Sequence, residues 1–352
     1  MCSKAMRKAF RLASRKFWSL VAFLPFLACG LAFPIAFGGQ PAAGDGTPIP
    51  VNALQLDAFK KGAGDTFGKL EFLSGVVLAT KRGELGAISS IRVLDGGSRF
   101  VAVMDTGHWA TGVIDRDGEG RITGLSDFRI TAMRNPDGTI GGTKESLDAE
   151  SLAKTEDRLY VGYERDHRIQ AYPFPGFEDA VPLATELPVL APGDRLRGNG
   201  GLETLLVAPE DSPLEGALVF VAERSYNKDG NFIAGVQSGP MKGTFYVERI
   251  APYDITDGVF LDDGSFLLLE RKFGLADGIG MRIRRFSGND IAPGETVSGE
   301  ILMEADFSHQ IDNMEGIDAY RAADGSTRLI VTSDDNHSLL QRNLMLEFRL
   351  LP

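Results

Sequence analysis

Cysteine is nearly missing from this chain of 352 residues: there are two, Cys2 and Cys29, both within the first 44 positions. The remainder therefore has no disulfide, no thiolate nucleophile and no cysteine metal site. A disulfide is not needed at this size, since roughly 300 residues bury about three quarters of their unfolded surface. Histidine is also scarce, with four in all. No stretch of the body sustains a helical period of apolar residues. Gly-x-Ser-x-Gly does not occur, and Ser74, in Leu73-Ser-Gly, lacks the first glycine, so a nucleophile elbow is not supported. A Walker loop, a His-Glu-x-x-His pair and a dinucleotide fingerprint are missing too.

Negative charge is absent from residues 1–44, which hold Lys4, Arg7, Lys8, Arg11, Arg15 and Lys16. A mostly apolar run from Phe17 to Phe37 follows, interrupted by Pro25 and Pro34. This order predicts a signal peptide and linker over 1–44, with an uncleaved N-terminal anchor as the alternative. Ser14-Arg-Lys-Phe-Trp is a degenerate twin-arginine pattern and Leu27-Ala-Cys29 a poor lipoprotein box. The expected location is periplasmic or secreted. Without the six leader cations the formal charge moves from −11 to −17. A body that acidic argues against nucleic acid and anionic membrane as partners, and no stable membrane span is expected in the mature chain.

What the body does have is a repeated run of apolar residues that ends in an acid. It reads Phe100-Val-Ala-Val-Met-Asp105, Leu159-Tyr-Val-Gly-Tyr-Glu164, Leu218-Val-Phe-Val-Ala-Glu223, Ser265-Phe-Leu-Leu-Leu-Glu270 and Leu329-Ile-Val-Thr-Ser-Asp334. The acids are 59, 59, 47 and 64 residues apart. Each run is short and rich in β-branched and aromatic residues, so each reads as a buried strand. A second apolar stretch precedes every run and opens on a polar residue: Ser90, Glu150, Glu203, Asp257 and Glu315. Turn signals such as Asp95-Gly-Gly, Asp263-Gly and Asp324-Gly separate the two.

A period of about 50 residues made of strands and turns predicts an all-β fold, a β-propeller with one blade per repeat. Five repeats are countable, over about 87–131, 148–191, 199–251, 254–307 and 313–350; a sixth blade is the alternative. Leu70 to Ala79 has no blade of its own and is expected to close the last one. One domain over 66–352 follows, because blades cannot bury their faces alone. Ala42 to about Asp65 reads as a spacer, and 226–240 as a Gly- and Asn-rich excursion of the third repeat.

Equivalent residues of different blades converge on the axis of such a fold. The expected ring includes Glu150, Glu203, Asp257 and Glu315 with Asp105, Glu164, Glu223, Glu270, Asp334 and Asp335. So many carboxylates together repel unless a cation or arginine sits among them. Oxygen ligands without cysteine favour a hard ion, calcium before magnesium. Alternatively each acid caps its own turn or pairs with a neighbouring arginine. Three histidines follow a repeat acid closely: His108, His167 and His337; the fourth, His309, precedes Asn313. A histidine beside a carboxylate can move protons near neutral pH. Arg165, Arg224 and Arg271 directly follow repeat acids and, with Lys272, could face an anionic substrate, but strand alternation turns the residue after an inward acid the other way, and ion pairing between blades is the competing reading. Asp115-Arg-Asp-Gly-Glu-Gly and Asn135-Pro-Asp-Gly read as hairpin turns, not calcium loops.

Asn199-Gly-Gly-Leu-Glu-Thr-Leu, Asn313-Met-Glu-Gly-Ile-Asp-Ala, Tyr163-Glu-Arg-Asp-His-Arg-Ile and the closing Asp334-Asp-Asn-His together resemble the bacterial phytase-like family, described as having esterase-like activity of phytase. The resemblance spans roughly 66–350. It implies an exported β-propeller and hydrolysis of an ester or phosphoester, a small-molecule substrate. The aspartate-rich calcium pattern of propeller phytases is not visible, which sets phytate itself apart. The expected catalytic set is Glu164, His167, Glu223, Glu270, Glu315 and His337, with Glu203, Asp105, Asp334 and Asp335 as ligands for Ca2+. The competing reading is a binding propeller of the periplasm or cell envelope without turnover.

Overall fold

In the computed structural model the described residues are 44–183, 187, 189, 196, 200–274 and 278–352. The predicted leader thus lies outside them, apart from Gly44. Five antiparallel sheets stand in a ring, a five-bladed β-propeller as the repeat count predicts. From the axis outward, the first blade is Ile88–Leu94, Arg99–Met104, His108–Arg116 and Ile122–Ala132. The second is Ala149–Lys154, Arg158–Tyr163 and Arg168–Pro173. The third is Thr204–Val207, Leu218–Tyr226, Phe232–Val236 and Gly243–Val247, with the short parallel strand Thr296–Val297 at its edge. The fourth is Asp254–Phe260, Ser265–Gly274, Gly278–Ser287 and Glu300–Asp306. The fifth is Met314–Arg321, Thr327–Ser333 and Asn343–Leu350, completed by the early strand Leu70–Thr80.

The repeated apolar runs are the second strands. They show no alternation because both faces of each are buried. Phe100, Ala102 and Met104 pack towards the fifth blade, while Val101 and Val103 pack towards the second. The same division recurs at the other boundaries, so the core consists of five apolar layers, one between each pair of neighbouring blades. The ring closes through Leu70–Thr80, which pairs in antiparallel register with Asn343–Leu350.

Two expectations for the connecting segments need correction. Residues 44–56 are not a spacer: Val51–Gln55 pairs with the closing strand Leu70–Thr80. Just before it, Gly46 and Ile49 donate backbone hydrogen bonds to Ile130 and Phe128 of the first blade. The segment laces the last blade to the first, using backbone groups that composition does not reveal. The excursion at 226–240 contains the strand Phe232–Val236, entered by a tight turn in which Asn227 Oδ1 accepts from Asp229 N and Asn231 N. No helix among the described residues is long and apolar enough to cross a membrane.

Candidate functional site

The innermost strands begin at one face of the ring, and four of them begin with the same irregularity. Their registers skip one residue, leaving Ser89, Glu150, Thr256 and Glu315 unpaired as bulges. A bulge turns a side chain out of the pleat, which here aims it over the axis. Glu203, directly before Thr204–Val207, holds the corresponding place in the third blade. Ser89, Glu150, Glu203 and Glu315 all line one cavity of about 150 Å3.

Registers also define a second ring. Two positions beyond the residue that pairs with Ser90, Ser151, Thr204, Asp257 and Gly316 stand Asp105, Glu164, Glu223, Arg271 and Asp334. All five line the same cavity, together with Arg224 and Asn336. The fourth blade therefore supplies an arginine where the other four supply an acid. Glu270 is one residue out of phase. It lies within a ladder that runs without a register shift from Ser265–Gly274 to Gly278–Ser287, directly opposite Arg282. Alternation turns it into the blade, where Arg282 and Arg284 grip both carboxylate oxygens. All three are buried. Glu270 is thus absent from the cavity, and Glu270→Gln is expected to destabilise the protein by about 3 kcal/mol, because two buried guanidinium groups lose their countercharge. A urea titration measures the loss, and activity per folded molecule should be unchanged.

Arg271 does reach the axis side, against the alternation argument applied to Glu270 as the ring residue. Its Nη1 is 2.7 Å from Glu315 and its Nη2 3.4 Å from Glu223, and it also donates to Asn313 Oδ1. Arg224 lies 2.9 Å from Glu223 and 2.8 Å from Asp254. Burial works against the Arg271 charge, but Glu315, Glu223 and Glu203 more than offset it and raise its pKa.

The acids differ in how they are compensated. Glu164 Oε1 accepts from the backbone amides of Gly200 and Gly201, the latter at 2.7 Å. Asp334 Oδ1 accepts from Ala87 N and, at 3.0 Å, from Asn336 N. The bonds from Gly200, Gly201 and Ala87 latch one blade to the next, whereas that from Asn336 is local to its own loop. Asp105 pairs with Lys144 at 2.7 Å; the same ammonium is 2.5 Å from the buried Asp148, which Arg165 also meets at 2.6 Å. Glu203 forms no ion pair among the described residues. Burial, followed by the charges of Glu223, Glu150, Glu164 and Glu315, pushes its carboxyl well above the usual range. Burial does the same to Glu150, reinforced by Asp148, Asp105 and Glu164. Burial also raises Glu315 to about 8 and Asp334 to about 6.

Three carboxylates, Glu164, Glu203 and Glu223, place oxygens within 4.8 Å of one another. A second such group is Asp105, Asp148 and Glu150, already met by Lys144 and Arg165. The oxygen-only donors of the first group, with Glu203 in no ion pair among the described residues, fit a hard cation such as calcium, although Glu223 already meets Arg224 and Arg271 and Glu164 accepts from two amides. Asp335 does not join either group: its Oδ2 accepts from Asn343 Nδ2 at 2.8 Å and its Oδ1 from His337 N.

None of the four histidines is among the residues lining the cavity. The His167 ring packs against Gly201. His337 is exposed, with Nδ1 3.1 Å from the Gly83 carbonyl oxygen. His108 is half-buried beside Thr106, and burial lowers its pKa. His309 sits 3.0 Å from Asp306 and against Phe59 and Phe67. Sequence reasoning missed Asp148, Lys144 and Asn336 as members of this face. It also missed Arg92, buried lower on the axis, whose fork grips Asp257. A charge inside the apolar stretch Ile91-Arg-Val-Leu was the available signal.

The family model described as "Phytase-like: Esterase-like activity of phytase" matches residues 83–337, well over half of the chain. The chain belongs to the phytase-like family. At family level that makes it a hydrolase-like propeller. The match includes every lining residue of the cavity, whereas the closing strand Leu70–Thr80 and its partner Asn343–Leu350 fall outside it. No curated protein matches this phytase-like sequence. Among solved structures, similar chains include one from a mitotic checkpoint complex, with 13% identity over 97% of this chain and 99% of that one and a TM-score of 0.37. A glucose dehydrogenase has 13% identity over 84% and 98%, with a TM-score of 0.36. An endo-1,4-beta-xylanase from Bacteroides thetaiotaomicron has 9% identity over 74% and 90%, with a TM-score of 0.44. At those scores none of the three bears on function.

Proposed function

We propose that this phytase-like propeller is an exported hydrolase of phosphate or carboxylate esters that works with a divalent cation, calcium first. The observation that carries the reading is the cavity itself: Glu164, Glu203 and Glu223 converge there beside Arg224 and Arg271. Glu164, Glu203 and Glu223 would hold the cation. When bound, it supplies Lewis-acid charge to the ester oxygen. Arg224 and Arg271 would orient the anionic part of the substrate, since a guanidinium fork matches phosphate or carboxylate oxygens. Glu315, which lines the same cavity and is pushed up to about 8 by burial, would hold a proton near neutral pH and give it to the departing oxygen. The proton-moving part first expected of His167 and His337 thus passes to Glu315. A non-catalytic binding propeller is the second reading, favoured by the backbone latches of Gly201 on Glu164 and of Ala87 on Asp334.

The test is hydrolysis of phytate, an aryl phosphate and short-chain aryl esters, with calcium and with chelator, beside Glu223→Gln. We expect turnover to fall about a hundredfold or more in both chelator and variant. Turnover indifferent to both would move the chemistry away from this cavity. A folded protein without turnover on any substrate would leave the binding propeller.

A further inference from the structure

One hydroxyl stands among the acids of the cavity. Of the described residues that line it, Ser89 alone carries a hydroxyl, and none carries a thiol. Gly-x-Ser-x-Gly is missing from the chain, so no strand-to-helix elbow presents a serine here. A strand bulge does so instead. The ladder of the first blade passes from the pair Ile88–Met104 to the pair Ser90–Val103, and Ser89 is the residue left over. Glu150 is left over in the same way in the second blade, between Ala149–Tyr163 and Ser151–Gly162. The two innermost strands are neighbours in the ring, and Ser89 acts on the Glu150 carboxyl as a side-chain hydrogen-bond donor, favouring its ionised form. The other hydroxyls of these strands are spent inside the protein. Ser90 Oγ donates to Asp257 at 2.9 Å and Ser151 Oγ to the Leu202 carbonyl at 2.7 Å. Thr256, the bulge residue of the fourth blade, donates to the Leu269 carbonyl and does not line the cavity. Ser89 is 8% exposed, so its hydroxyl meets the cavity and little bulk solvent.

We propose that Ser89 is the nucleophile of this cavity, with Glu150 as its base, and that the substrate is a carboxylic ester cleaved through an acyl-serine. The assignment rests on reading the cavity as the hydrolytic site, and it supplies the attacking atom which that reading leaves open. Ser89 Oγ bonds to the carbonyl carbon while its proton passes to a Glu150 oxygen. The bond from that carbon to the alcohol oxygen breaks, and Glu315 protonates the departing oxygen. Water then adds to the acyl carbon and leaves a proton on Glu315. The bond to Oγ breaks, and Oγ recovers its proton from Glu150. Acid and alcohol depart, and all three side chains regain their starting protons. Arg224 and Arg271, in the same cavity, favour the negative charge that develops on the carbonyl oxygen. Glu150, shielded by burial, holds the transferred proton more firmly than an exposed glutamate would. Seven carboxyl groups line the cavity against two guanidinium groups, a balance that repels a phosphate dianion and leaves an uncharged ester indifferent.

The experiment exposes the full chain, in calcium, to an alkyl fluorophosphonate and maps the adduct by peptide mass spectrometry. That probe reports an activated hydroxyl: Oγ bonds to phosphorus and fluoride leaves. Hydrolysis of 4-nitrophenyl acetate is followed beside it for the native protein, Ser89→Ala and Glu150→Gln. We expect one adduct, on the peptide that carries Ser89, and its loss in Ser89→Ala. Glu150→Gln should slow labelling and turnover alike by about a hundredfold, the worth of a general base. Ser89→Ala should lower kcat/KM about a thousandfold or more, while its calcium affinity by titration calorimetry stays native. The adduct is read on the native chain, so the result does not hinge on how the variants fold. An adduct elsewhere or nowhere, or a Ser89→Ala protein within about threefold of native kcat/KM, would overturn the nucleophile. If turnover then still falls in chelator and in Glu223→Gln, the cavity remains the hydrolytic site and water is the attacking group. A labelled Ser89 in a protein that cleaves no ester does the reverse: the activated serine stands and the hydrolase reading falls.

Discussion

Replacing Arg92 by alanine is expected to lower the unfolding free energy by about 3–5 kcal/mol, the cost of stranding a buried charge. Arg92 lies on the axis below the cavity and meets the Asp257 carboxylate in two-point fashion, at 3.1 Å through Nη1 and 3.2 Å through Nη2. The same two nitrogens also donate to the carbonyls of Ile317 in the fifth blade, Leu205 in the third and Gly258 in the fourth, all at 3.0–3.1 Å. Asp257 also accepts from Ser90 Oγ, Ile317 N and Gly258 N. One ion pair thus joins four blades. Asp257 is fully buried, and burial raises its pKa against the pull of Arg92. Without the guanidinium it keeps its amide donors but loses its countercharge, and four carbonyls, that of Ile91 included, lose a partner. The paired replacement Arg92→Met with Asp257→Leu should recover most of the loss, since apolar groups of similar volume leave no orphaned charge. Urea titrations of the three proteins decide it. A loss under about 1 kcal/mol for Arg92→Ala would mean that the axis is wetter than its packing indicates.

The blade count and the closing strand were legible because burial on both faces forces long apolar runs, and five such runs survive any uncertainty at their ends. The ring was legible only to within one residue. A reader of the sequence aligns Glu270 with Glu223 and Asp334, since each ends an apolar run. Pairing register aligns Arg271 with them instead. A single-residue offset exchanges the faces of a strand, so it moves a candidate ligand into an internal ion cluster and an arginine into the cavity. The spacing of 47 residues before Glu270 gave no warning, because loop lengths differ between blades anyway. Arg282 and Arg284, two residues apart in an otherwise apolar strand, could have pointed to a buried acid opposite them. The bulges that aim Glu150 and Glu315 over the axis leave no mark in composition. Histidine placement misled for a related reason: His108, His167 and His337 do follow the ring acids, but each lies beyond the point where the chain has turned away from the axis.

In chelator, stability is expected to fall as pH rises from 5 to 8, opposite to the usual behaviour of carboxylates paired in the folded state. Burial holds the Glu315 carboxyl up to about 8, with Asp334 and Glu223 adding to it and Arg271 opposing. Asp334 is raised to about 6 by burial, and Asp105 and Asp335 face it. Glu203 and Glu150 are raised well above the ordinary range. In the unfolded chain these groups lose their protons near pH 4. Between about pH 4 and 8 the folded protein therefore binds more protons than the unfolded one, and its stability declines as pH increases. The decline should amount to about 3 kcal/mol from Glu315 alone, at 1.36 kcal/mol per unit. Groups shifted the other way do not cancel it: Asp306, held to about 2 chiefly by Ser308, contributes a stabilisation that is complete above pH 4 and lost only in stronger acid. Calcium should reverse the trend. It binds the ionised carboxylates, so it should raise the melting temperature more at pH 8 than at pH 5, where the raised Glu203 carboxyl still holds its proton. Thermal unfolding across that range, with calcium and with chelator, reads both effects. A flat profile in chelator would show that water or arginine already compensates the ring. Equal stabilisation by calcium at pH 5 and pH 8 would place the ion somewhere other than Glu164, Glu203 and Glu223. A slope that calcium abolishes, and that Glu203→Gln reduces even without it, would tie charge, cation and fold to this one cavity.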